Sequence, residues 1–185
     1  MQLAAQEFLR LVEATGKIVF LDIEATGLHG DYNSASVVSM KPYKRPPKTW
    51  SVIRPGDDKP MLEQVKAELE KYLCWVTYYG KGFDLKMLNT RLTRWGLLPI
   101  EPRHHIDMYW QLKHHLLMSR RSQAHLLRFF DCEIQKMDVN PEMWNQVLAN
   151  PKKYLPTLVK RCESDTAGLE ALYEKTKHLI REVTK

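Results

Sequence analysis

Residues 17–25, KIVFLDIEA, constrain the chain more than any other stretch, because they combine the make-up of a buried strand with two carboxylates. Ile18, Val19, Phe20, Leu21 and Ile23 are the β-branched and large apolar residues of a strand covered on both faces. Side chains alternate along a strand, so Ile18, Phe20, Asp22 and Glu24 share one face while Val19, Leu21 and Ile23 share the other. The two acids therefore project together. Like charges at that spacing repel and desolvating a carboxylate is costly, so a purely structural strand gains nothing from the pair. Two readings remain: a strand end emerging into solvent, since Thr26-Gly27 follow at once, or a divalent cation held by both acids.

The rest of the chain supplies a setting for that strand. With 185 residues, 44% of them hydrophobic, a single domain over residues 1–185 is expected. MQLAAQEFLRLVEATGK reads as an amphipathic helix, unlike a secretory signal, and no run approaches the roughly 18 apolar residues of a membrane span. SASVVSMKPYK and KTWSVIRPG read as two more strands, joined by the basic, proline-rich KPYKRPPK, which gives three antiparallel neighbours over residues 17–54. DKPMLEQVKAELEKY has helical spacing, LCWVTYYG reads as a strand, residues 84–95 return to helix, and IEPRHHID is extended. From Asp107 onward the pattern is almost wholly helical, including one last helix whose apolar stripe runs from Leu155 to Ile180. The expected class is α/β. Cys74, Cys132 and Cys162 are odd in number and lack a C-x-x-C spacing, which points to a reducing, intracellular setting and away from zinc. A net charge of +6 raises the expectation of a polyanionic partner such as nucleic acid.

More acids sit where they need explaining. Asp84 opens a helix after the turn Gly80-Lys81-Gly82-Phe83, where it reads either as a helix cap or as a further ligand. Asp165 falls inside the apolar stripe, between Cys162 and Leu169, where it reads either as the partner of Arg161 four residues earlier or as a functional acid. Asp107 reads as the cap of DMYWQLKHHLLM.

Taken in order, these motifs resemble the DEDD superfamily of 3′–5′ exonucleases, in particular the compact branch related to family B DNA polymerase proofreading domains. DIEATGL matches the first motif, TYYGKGFDLKMLNTR the second and RCESDTAGLEALY the third, so the resemblance spans roughly residues 17–176. It implies a ribonuclease-H-like mixed sheet, three antiparallel strands followed by parallel ones, flanked by helices with a mostly helical C-terminal half. It also implies Asp22, Glu24, Asp84 and Asp165 as catalytic ligands of two Mg2+ or Mn2+ ions, in a two-metal hydrolysis of single-stranded DNA, with RNA an open alternative. Thr26, Gly27 and Leu28 would lie against the terminal nucleotide, with Tyr79, Lys81 and Arg161 as further substrate contacts. A DNA polymerase or other replication partner and a cytoplasmic location, the host's if the chain is phage-encoded, complete the implication.

The sequence departs from that family where a general base belongs. Relatives carry a tyrosine four residues before the fourth acid or a histidine five before it; here Arg161 and Lys160 stand there. An arginine stays protonated, so it cannot accept a proton from water, though its planar fork can hold a phosphate oxygen. Side-chain base catalysis is worth about 100- to 10,000-fold, so its loss slows such an enzyme without removing metal-driven hydrolysis. His104, His105, Tyr78 and Tyr79 are candidate substitutes. Tyr79 also replaces the family's usual asparagine, either to stack on a base or to fill the core. Two other readings stay open: a nucleic-acid-binding or polymerase-accessory module with weak or lost activity, and a structure-specific endonuclease.

Overall fold

The computed structural model describes residues 2–135, 137, 140 and 142–184. Strands β1 (Ile18–Ala25), β2 (Ala35–Pro42) and β3 (Lys48–Ser51) run antiparallel to their neighbours, and β4 (Cys74–Thr77) and β5 (His104–Asp107) continue the sheet parallel to β1. The resulting order is β3-β2-β1-β4-β5, a mixed five-stranded sheet. The extended IEPRHHID passage thus contributes an edge strand, further tied by an antiparallel bridge from His105 to Thr184.

The alternation in β1 divides the core in two. Val19, Leu21 and Ile23 pack with Leu62, Val65 and Leu69 of α2 (Lys59–Leu69) and with Leu88 and Leu92 of α3 (Asp84–Arg94). Ile18 and Phe20 pack on the other face with Leu9 and Val12 of α1 (Gln2–Ala14) and with Leu169, Leu172 and Tyr173 of a long C-terminal helix. Each face is thus covered by helices, as a largely parallel sheet edge requires. Among the described residues no helix is long and apolar enough to cross a membrane.

The C-terminal half is helical in four pieces: α4 (Met108–His115), α5 (Gln123–Phe129), α6 (Met143–Ala149) and α7 (Pro151–Thr176). The pattern predicts less interruption than is found. Leu116 leaves α4 in an extended conformation, and Asp131 adopts a positive φ of 50° after α5. Leu179 and Ile180, expected in the last helix, follow its end at Thr176; residues 177–179 form a single 3-10 turn.

Candidate active site

Asp22 and Glu24 continue the β1 face that Ile18 and Phe20 begin, so they point at α7 rather than at α2 and α3. In α7 the residues facing them are Arg161, Cys162 and Asp165, at helical spacing along one side. Carboxylate oxygens of Asp22, Glu24 and Asp165 all lie within 4.8 Å of one another. They line a cleft of about 440 Å³ together with Thr26, Gly27, Leu28, Phe83, Trp144 and Arg161.

Glu24 and Asp165 are buried, at 5% and 2% exposed. Burial pushes the Glu24 carboxyl above its ordinary value, Arg161 pulls it back, and the nearby Asp165 charge adds to the rise. The Arg161 Nε donates to Glu24 Oε1 at 2.5 Å and lies 3.9 Å from Asp165 Oδ2. The intrahelical Arg161–Asp165 pair suggested by the sequence is therefore the looser contact; Glu24, across the interface, takes the arginine. Trp144 Nε1 donates to Glu24 Oε2 at 3.2 Å, and the Arg161 guanidinium sits 5.2 Å from the Trp144 ring centroid. The Cys162 thiol donates to the Asp22 carbonyl at 3.3 Å and approaches its Oδ2 at 3.4 Å.

Asp84 is not among the three clustered acids. It is buried, 5% exposed, as the first residue of α3, directly after the cleft-lining Phe83. Phe83, not Asp84, occupies the cap position, so Asp84 begins the helix and faces its positive end. Gly27 has no room for a side chain, since a Cβ there would lie 2.5 Å from Asn33 Oδ1, and Leu28 is 77% exposed at the rim. Thr26 keeps the loop closed by donating its backbone N–H to the Ser34 carbonyl at 3.0 Å and accepting Ser34 N on its hydroxyl at 3.1 Å.

The loop is braced from behind by a group that sequence reasoning missed. Asp58, fully buried, accepts from Arg91 Nε at 2.8 Å, Arg91 Nη2 at 3.0 Å, Trp95 Nε1 at 2.7 Å and Ala35 N at 3.1 Å. Arg91 Nη1 also donates to the Gly30 carbonyl at 3.1 Å. An aspartate before Lys-Pro signals a helix start and nothing more, so nothing in the sequence marks this pairing. Trp144 was missed likewise: it lies far from every motif.

None of the residues expected to replace a general base lines the cleft. His105 is buried and shares a 2.8 Å hydrogen bond with Thr77 Oγ1; burial lowers its pKa to about 4. His104 packs on the Phe8 ring at 4.4 Å. Tyr78 donates to the Arg121 carbonyl at 2.5 Å, and burial holds its pKa well above the usual tyrosine range. Tyr79 is 44% exposed, which removes the core-filling reading, and Lys81 is likewise outside the cleft. Asp107 caps α4 through Tyr109 N, as expected, and reaches further, to Tyr79 N and Lys81 N.

A family model described as RNase_H superfamily matches residues 19–177. The chain belongs to the RNase_H superfamily. Among solved structures, the family B DNA polymerase from the hyperthermophilic archaeon Pyrobaculum calidifontis is similar, with a TM-score of 0.71 at 16% identity. That match covers 86% of this chain and 24% of the polymerase chain, so the present chain spans about a quarter of that protein. A structure described as the apo form of a nuclease matches with a TM-score of 0.62 at 18% identity, over 91% of this chain and 76% of the other. No curated protein sequence matches the chain. At these identities the structural neighbours speak for the fold, and the superfamily's ribonuclease-H-like sheet is the one observed. Proteins of this superfamily generally use divalent metals, and the hard oxygen donors of Asp22, Glu24 and Asp165 fit such an ion.

Proposed function

We propose that this chain is a metal-dependent 3′–5′ exonuclease that hydrolyses single-stranded DNA using two Mg2+ or Mn2+ ions. One observation carries the reading: Asp22 and Glu24 from β1 and Asp165 from α7 bring three carboxylates within 4.8 Å at the floor of an open cleft. Three acids so close are unfavourable without added positive charge. Asp22, Glu24 and Asp165 would hold the metal, and Asp84, beside the cleft-lining Phe83, would take the fourth place by motif order. When bound, such ions lower the pKa of a water and neutralise charge on phosphate oxygens.

The remaining work falls to the chain's own side chains. The Thr26–Leu28 backbone, on the cleft wall, meets the terminal nucleotide. Arg161 stays cationic and so cannot act as a base, but its fork holds a phosphate oxygen once it leaves Glu24. Trp144 steadies Glu24 and the arginine together. A nuclease and a polymerase among the structural neighbours support this class of substrate, and a replication polymerase as partner belongs to the same proposal.

Arg161 also favours a second reading. Its close pairing with Glu24 suits a nucleic-acid-binding module whose catalysis is weak. A 5′-labelled single-stranded oligonucleotide in Mg2+ or Mn2+ separates the possibilities. Stepwise shortening that Asp22→Ala or Asp165→Ala removes is the expected result. Binding without cleavage gives the module, and internal cuts in a circular single strand give an endonuclease.

A further inference from the structure

The second motif supplies an exposed aromatic surface that the acid cluster does not use. Tyr79 follows the end of β4, with a φ of 64° that a bulky residue rarely adopts. Several contacts hold it there. The carboxylate of Asp107, itself 2% exposed, accepts from Tyr79 N at 2.8 Å with one oxygen and from Lys81 N at 3.0 Å with the other. Gly80 N donates to Thr77 Oγ1 at 3.2 Å, and Thr77 in turn bonds His105 at 2.8 Å. Gly82 leaves the room the ring needs, since a Cβ there would lie 2.3 Å from it.

A buried acid, a buried histidine and a glycine are thus committed to presenting one tyrosine at the surface. Tyr79 is 44% exposed as a residue, and its ring meets Tyr109 edge-on at 5.0 Å and lies 6.4 Å from Trp110 at an interplanar angle of 33°. Lys113 Nζ sits 4.5 Å from the centroid of Trp110. Core packing does not account for an aromatic held in a costly backbone conformation and left in water. Stacking on a ligand does, and cations interleaved with the rings select a ligand whose planar groups alternate with negative charge.

The surface also lies where a strand leaving the cleft would pass. β1, β4 and β5 are parallel, so the Asp22 and Glu24 end of β1, the Tyr79 end of β4 and the Trp110 end of β5 lie along one edge of the sheet. Neighbouring strands are about 4.8 Å apart, which sets the platform about one to two strand widths from the acids. We propose that Tyr79, Tyr109 and Trp110, flanked by Lys81 and Lys113, form a second binding site that stacks unpaired bases of a nucleic-acid strand whose 3′ end enters the acid cleft. In direction and substrate class the proposal rests on the exonuclease reading; in its binding role it does not.

The test is fluorescence anisotropy of a 5′-fluorescein-labelled oligothymidylate in EDTA, where hydrolysis is absent, with hydrolysis in Mn2+ measured in parallel. Tyr79→Ala and Trp110→Ala should each raise the Kd about 5- to 150-fold, while Tyr79→Phe binds as the wild type does. Removing bases near the 3′ end should weaken binding to the wild type by a larger factor than binding to Tyr79→Ala, with thermal melting confirming that each variant is folded. Unaltered affinity in both alanine variants, equal weakening by abasic sites in wild type and variant, or no binding by the wild type overturns the platform. Wild-type protein that fails to hydrolyse the oligonucleotide in Mn2+ while Tyr79→Ala still weakens binding sinks the exonuclease reading and leaves the platform standing.

Discussion

Asp58 and Glu24 are built from the same parts. Each accepts from an arginine Nε and from a tryptophan indole, and in each case the guanidinium also lies near that tryptophan's ring, at 5.9 Å for Arg91 and 5.2 Å for Arg161. They differ in charge balance. Asp58 and Arg91 pair one to one, and a backbone amide takes up further acceptor capacity. Around Glu24 two more carboxylates crowd in, and among the described residues Arg161 is the cationic side chain lining the cleft. A balanced buried pair is a brace, whereas an unbalanced one is a place where charge must arrive from outside.

Disabling the unbalanced site should have the largest effect. Asp22→Asn or Asp165→Asn should cut hydrolysis by about 1,000-fold or more, because a metal supplies several kcal/mol of transition-state stabilisation. The same variants should melt no lower than wild type without metal, since they relieve repulsion. A drop in metal-free Tm would place these acids with Asp58 instead.

The balanced site should answer in stability alone. Arg91→Met strands a buried carboxylate and should cost about 3–5 kcal/mol in urea unfolding, with or without Mn2+. A loss that Mn2+ restores would end the contrast. His105 lies in neither group and gives a pH reference. Its folded pKa, about 4, is below the unfolded value near 6.5, so the unfolded chain binds the proton first. The His105 contribution to stability is therefore complete above about pH 6.5, and about 3 kcal/mol of it is lost as the pH drops towards 4. Equilibrium unfolding of His105→Gln should show a flatter slope between pH 6.5 and 5.

The smallest effect concerns Arg161. Arg161→Gln removes the cation now seated on Glu24 and should tighten Mn2+ binding about tenfold by calorimetry, roughly 1.4 kcal/mol. Weaker binding would mean that the arginine organises the acids rather than competing for them.

The parts of this comparison were unequally readable. Asp22, Glu24 and Asp165 declare themselves because a period of two in β1 and a helical stripe in α7 put charge where apolar residues belong. Three antiparallel neighbours over residues 17–54 were legible from apolar runs and the turns between them, whereas the parallel placement of β4 and β5 came with the family resemblance. Asp58 and Trp144 carry no such mark: their partners lie 33 and 120 residues away, and only packing reveals them. Asp107 was legible as a helix cap, a local interaction, but not as the anchor of Tyr79, which comes from pairing β5 with β4. Arg161 was legible as an oddity in the third motif, whereas its seat on Glu24 depends on how α7 crosses β1.

That crossing has a consequence for how the protein is made. Glu24 and Arg161 are 137 residues apart, so the cleft does not exist until α7 docks on a strand translated long before it. Bringing such distant segments together costs loop-closure entropy and comes late in folding. Until α7 docks, the three acids are not assembled, and on the metal-dependent reading an ion that binds only the finished cleft would pull that last step to completion.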